Sequence, residues 1–172
     1  MSFGGDRDQL TICAVSTPPG YGGISVIRVS GPSAKKIVRK VLKSLPLTLE
    51  SHKAYYGIIC DPETQNPIDQ ALTLYLAEGK SFTGEDTFEI SSHGNPIICD
   101  RILKALITSG GSAALAGEFT YRAFVNNRLD LVQAESVLSL IESRSQKASE
   151  LSYRQLEGLL SEKIDAIEKD LT

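Results

Sequence analysis

The chain has 172 residues, with 18 Lys plus Arg against 21 Asp plus Glu, a formal net charge of -3 and a 41% hydrophobic share. These values suit one domain with a sizeable core, or one domain plus a helical extension, and argue against wholesale disorder. They also argue against a dedicated nucleic-acid clamp, which needs a basic excess, and no apolar run is long enough to span a membrane. The polar, partly acidic start from Met1 to Leu10 does not read as a signal peptide. Residues 11–16 read as a strand ended by Thr17-Pro18-Pro19-Gly20-Tyr21-Gly22-Gly23, where Pro and Gly forbid regular structure. Residues 24–30 read as a second strand, broken by Gly31-Pro32-Ser33, with Ser33 placed to cap a helix. Ala34, Ile37, Val38, Val41, Leu42 and Leu45 carry the spacing of an amphipathic helix. Its other face holds Lys35, Lys36, Arg39, Lys40 and Lys43, either as a solvated surface or as a phosphate-binding patch.

Strands follow at 53–60, 68–76 and 86–92, with a turn over Asp61-Pro62-Glu63-Thr64-Gln65-Asn66-Pro67. On the last strand Phe88 and Ile90 share one face, and Thr87, Glu89 and Ser91 the other. Asn95 and Pro96 open a helix that carries Ile97, Ile98, Ile102, Leu103, Leu106 and Ile107 and stops at Gly110-Gly111, with a short strand near 112–116. The character changes after Gly117. Leu129 to Ser143 reads as helical, and Leu156, Leu160, Ile164, Ile167 and Leu171 form an a/d stripe. That stripe needs a cover, so the chain is expected to be the first part of a longer protein or to pack in an oligomer. The expectation is an α+β domain over residues 1–117, followed by a helical segment over 118–172.

Few residues suggest chemistry. Cys13, Cys60 and Cys99 are odd in number and lack a C-x-x-C spacing, so they read as small buried hydrophobes in a reducing compartment. His52 and His93 are too few and too far apart to suggest a metal site. Gly79-Lys80-Ser81 imitates the end of a phosphate-binding loop, but the first glycine of that pattern would fall on Leu74. Arg28 lies in the middle of an apolar strand, where a guanidinium needs an anion, either a bound carboxylate or an acidic side chain at a ligand site; otherwise it snorkels to water. Glu89 poses the same question. It either faces solvent or accepts hydrogen bonds from the adjacent N–H groups of a heterocycle such as a pterin or guanine edge. Arg122 and Arg128 could meet an anionic ligand, or pair with Asp130 and Glu135 on a helix surface.

Six segments, taken together and in order, resemble one family. They are Ser16-Thr17-Pro18-Pro19-Gly20-Tyr21-Gly22-Gly23-Ile24, Ile27-Arg28-Val29-Ser30-Gly31, Ser81-Phe82-Thr83-Gly84-Glu85-Asp86, Glu89-Ile90-Ser91-Ser92-His93-Gly94, Gly117-Glu118-Phe119-Thr120, and Arg122-Ala123-Phe124-Val125-Asn126-Asn127-Arg128-Leu129-Asp130-Leu131. The chain is similar through them to the N-terminal region of the tRNA uridine-modification GTPases (MnmE, also called TrmE). The resemblance implies a mixed-sheet α+β domain like the tetrahydrofolate domain of aminomethyltransferases, then the first helices of a central helical domain. It implies binding of a tetrahydrofolate one-carbon derivative, such as the 5-formyl form, through Arg28, Glu89 and Arg128, and a homodimer made by this region. It assigns no catalytic residue and no metal ligand here. GTP, Mg and K belong to a GTPase domain that the chain ends before, and a flavoprotein partner and tRNA to the intact cytoplasmic protein. Asn95 and Ala116 stand where the family has glycine and proline. A ligand-free dimerisation scaffold and a stand-alone folate-dependent one-carbon transferase are the competing expectations.

Overall fold

The computed structural model describes residues 5–158, which form two compact units that meet in sequence between Ala116 and Gly117. The first unit opens with a short 3-10 helix, Gly5–Gln9. It then runs β1 (Ile12–Val15), β2 (Gly22–Ser30), α1 (Ala34–Val41), β3 (Lys53–Cys60), β4 (Pro67–Leu76), β5 (Thr87–Gly94), α2 (Pro96–Thr108) and β6 (Ser112–Ala113). The sheet order is β3-β4-β5-β2-β1-β6, antiparallel except for the parallel β1–β6 pair. The fold class is α+β, with a six-stranded mixed sheet.

Period-two alternation divides the sheet into two faces. Ile27, Val29, Phe88 and Ile90 point to one face and are fully buried, together with Ile37, Val38 and Val41 of α1 and Ile102 and Leu106 of α2. Each such side chain contributes roughly 1.5–3 kcal/mol of transfer free energy, so this layer fixes the register of the central strands. Both helices therefore cover one face, and the alternate residues of β2 and β5 line the other.

The local signals act with one exception. Asn95 Oδ1 accepts the Ile97 amide at 2.9 Å and Pro96 takes the first helical position. Asp61 Oδ1 accepts from the amides of Glu63 (3.0 Å) and Thr64 (2.8 Å), closing the β3–β4 hairpin. Ser33 occupies the N-cap of α1, but its side chain makes no capping bond. Its backbone (φ -101°, ψ 10°) is not the extended conformation that aims a cap hydroxyl at the first turn, and its own amide donates to Thr11 Oγ1 at 2.8 Å. The basic face of α1 is partly tied into the fold. Lys40 donates to the Ser109 carbonyl, Arg39 to the carbonyls of Pro46 and Leu47, and Lys35 pairs with Asp86.

The second unit contains α3 (Glu118–Val125), α4 (Leu131–Ile141) and α5 (Gln146–Leu156). Helix α4 starts at Leu131, not Leu129, because Asp130 and Gln133 form a reciprocal capping box, with bonds of 2.8 and 2.9 Å. Gln133 Nε2 also donates to the Leu156 carbonyl at 2.9 Å, which sets the start of α4 beside the end of α5. Leu156 is the last residue of α5; the rest of the expected stripe, Leu160, Ile164, Ile167 and Leu171, lies outside the described residues.

Candidate ligand site

The β2–β5 register sets Arg28 directly opposite Glu89. They belong to one row across the open face of the sheet: Ala14, Arg28, Glu89, Leu74 and Ala54. Residues 61 apart in sequence thus meet, with Arg28 Nη2 at 2.8 Å and Nε at 3.1 Å from the same oxygen, Glu89 Oε1. Of a bound carboxylate and an acidic side chain, the fold supplies Arg28 with the acidic side chain. The pair is partly accessible, at 24% and 28% of side-chain area. Among the described residues none donates to Glu89 Oε2. The Phe82 ring completes the group, its centroid 5.6 Å from the Arg28 guanidinium carbon, a cation–π distance.

The loop between β4 and β5 carries Phe82 and is held by a knot of buried hydroxyls. Ser30 Oγ donates to Glu85 Oε2 (2.7 Å) and lies 2.7 Å from Thr83 Oγ1 and 3.1 Å from Thr87 Oγ1; Ser81 Oγ donates to the Glu85 carbonyl (2.6 Å). Lys80 sits in this loop in a tight turn, its amide bonded to the Ala77 carbonyl, without the strand–loop–helix setting of a phosphate loop.

Asp86 closes the loop. Its Oδ1 accepts the Tyr75 hydroxyl at 2.6 Å and the Glu78 amide at 3.2 Å, and Oδ2 pairs with Lys35 at 2.7 Å. Burial pushes this carboxyl up, but the Lys35 ammonium, the Tyr75 hydroxyl and the Glu78 amide outweigh it and hold it below its ordinary value. A depressed folded-state value stabilises the protein above the unfolded-state value and loses that stabilisation as pH falls through the folded value. The thermal midpoint is therefore expected to drop below about pH 4, near the model-peptide carboxylate range. Asp86→Asn should lower stability at pH 7 by about 2 kcal/mol and flatten that acid limb. Thermal melts across pH check both expectations; an unchanged acid limb in the variant would refute the assignment.

Other titratable groups take structural positions. Asp69 accepts the His93 amide through Oδ2 and meets the ring Nδ1 through Oδ1, both at 2.8 Å. Burial raises the Asp69 carboxyl, yet these bonds and the Gln70 amide hold it low. Burial pushes the Cys13 thiol up to about 11, in keeping with a small hydrophobe, and Cys99 is buried as well. Cys60 departs from the expectation: it ends the edge strand β3 and is only half-buried. Among the described residues no cluster of His, Cys, Asp or Glu is arranged to hold a metal.

In the second unit Arg122 corrects the sequence expectation. It is not a surface cation: Arg122 and Glu118 face each other at i,i+4, 3.4 Å apart, each only 1% exposed. Sequence spacing could have suggested the pair but not its burial. Asp130 serves as the α4 cap. Arg128 is exposed, in the tight turn after α3, with its amide on the Ala123 carbonyl at 2.8 Å. It lines an open cleft of about 570 Å³ with Phe124, Asn127, Asp130 and Gln133.

A mixed sheet with both helices on one face and a charged pair beside an aromatic ring on the other defines an α+β domain, here followed by a helical unit. The chain belongs to the family described as "GTP-binding protein TrmE N-terminus", whose profile matches residues 11–128. It is 58% identical over 168 residues to a Bdellovibrio bacteriovorus protein named tRNA modification GTPase MnmE, covering 98% of this chain and 35% of the relative. Proteins of the same name from Geobacter metallireducens and Thermus thermophilus are each 42% identical, over 92% and 93% of this chain and 35% and 37% of their own lengths. The chain spans about a third of the length of these curated relatives. Among the described residues no helix is long and apolar enough to cross a membrane.

Proposed function

We propose that the chain binds a tetrahydrofolate one-carbon derivative of the 5-formyl type on the Arg28–Glu89 face, and that it serves modification of the tRNA wobble uridine. The single observation that carries the reading is the convergence of Arg28, Glu89 and Phe82 on one open sheet face. A pterin offers adjacent N–H donors, and Glu89 has Oε2 to accept from them while Arg28 holds the carboxylate through Oε1. When bound, the folate would supply a one-carbon unit to the uridine base. Arg128, carried by the second unit, enters as a ligand-binding residue on the family resemblance alone. GTP with Mg and K, a flavoprotein partner and tRNA itself would be engaged by the longer cytoplasmic family members. A homodimer is supported by exposed apolar residues on the open sheet face, Tyr56 and Ile58 of β3 and Leu72 of β4.

Calorimetric titration with 5-formyltetrahydrofolate tests the reading: heat is expected, and its absence at millimolar ligand with folded protein would overturn it. Arg28→Ala and Glu89→Ala should each abolish that heat and leave the dimer mass by light scattering unchanged. Both variants should stay folded, because an ion pair this accessible contributes about 0.2–1 kcal/mol. A ligand-free dimerisation scaffold is the second reading, favoured by one observation: Arg28 and Glu89 already satisfy each other. It predicts a dimer in all three proteins and no heat in any.

A further inference from the structure

We infer that Phe82 is the stacking platform of this site, taking one face of a flat conjugated heterocycle while Glu89 accepts hydrogen bonds from its edge. The inference rests on the folate reading and assigns the pyrimidinone half of the pterin to Phe82. Its two neighbours in sequence, Ser81 and Thr83, are almost wholly buried, yet the ring between them keeps 36% of its area exposed. The clamp on either side is specific. Ser81 Oγ donates to the Glu85 carbonyl at 2.6 Å, and Thr83 Oγ1 lies 2.7 Å from Ser30 Oγ of β2 and 3.2 Å from Thr87 Oγ1 of β5. The backbone is thereby fixed to the two strands that carry Arg28 and Glu89.

Phe82 stands outside the buried core cluster of the first unit. Its ring is oriented over the Arg28 guanidinium at 5.6 Å. A ring held on a pinned loop loses little conformational freedom when a ligand stacks on it, which is how rigid aromatic anchors gain affinity. Stacking supplies attraction for any flat π-system, and the carboxylate selects one with adjacent N–H donors. The chemical class is therefore a pterin or a similarly edged heterocycle.

The sequence contains no tryptophan, so Phe82→Trp introduces a single indole as a reporter. Titrated with 5-formyltetrahydrofolate, its emission should be quenched in step with the calorimetric heat, whereas an indole introduced by Leu47→Trp, at an exposed residue, should report no saturable change. Phe82→Leu should weaken binding on the order of 10- to 100-fold, the range that loss of one base–aromatic stack produces, and Phe82→Tyr should retain it. Wild-type binding that survives undiminished in Phe82→Leu, with unquenched indole emission in Phe82→Trp, overturns the platform and leaves the folate reading standing. Equal loss in Phe82→Leu and Phe82→Tyr without quenching in Phe82→Trp marks a packing role and also overturns it. A wild-type protein that binds no folate removes both.

Discussion

Gly31→Ala is expected to lower unfolding free energy by about 2–6 kcal/mol, combining backbone strain and overpacking of roughly 1–3 kcal/mol each. Gly31 has φ +136°, a conformation that L side chains rarely adopt. A Cβ placed there would lie 2.7 Å from Thr11 Cα and 2.9 Å from the Leu10 carbonyl oxygen, and these backbone atoms cannot swing away. The position also joins three parts of the fold. Its amide donates to the Asp86 carbonyl, its carbonyl accepts the Ala34 amide at the head of α1, and it directly follows β2. Gly110→Ala supplies the comparison: φ is +113°, but nothing lies within 4 Å of its Cβ position, so strain alone applies. Urea unfolding of the two variants separates clash from strain. Equal losses would mean that the close approach to Thr11 carries no cost.

Glu118→Ala or Arg122→Ala should each cost about 3–5 kcal/mol, because each removes one partner of a buried ion pair. Both side chains are 1% exposed. Glu118→Leu combined with Arg122→Met should cost less than either single change, since it removes both charges of the buried pair together. Chemical denaturation of the three variants measures this. Strict additivity in the double variant would show that the two residues act separately.

Local chemistry in the sequence announced most of the elements. The strands appear near their expected bounds because alternation, β-branched residues and Gly or Pro punctuation agree at each, and α2 begins at Asn95-Pro96 as its cap requires. The helical part was less legible. Glu118–Val125 is too short for periodicity to declare, and the capping box at Asp130 and Gln133 set a start two residues later than the apolar pattern suggested. Arg28 and Glu89 stood out as charges in apolar strands, but their meeting depends on pairing between strands 61 residues apart, which no local signal encodes. The burial of Arg122 and Glu118, and the bonds of Asp86 to Tyr75 and Lys35, arise the same way, from tertiary packing.

The parallel strand at the sheet's margin has a consequence for biosynthesis. Ile12 and Cys13 lie beside Ser112 and Ala113, so within this sheet the strand made first waits for the strand made last before its outer hydrogen-bonding groups are covered. Until then a nascent chain carries an open template to which another polypeptide could add. That last strand is only two residues long, which keeps the late closing step small.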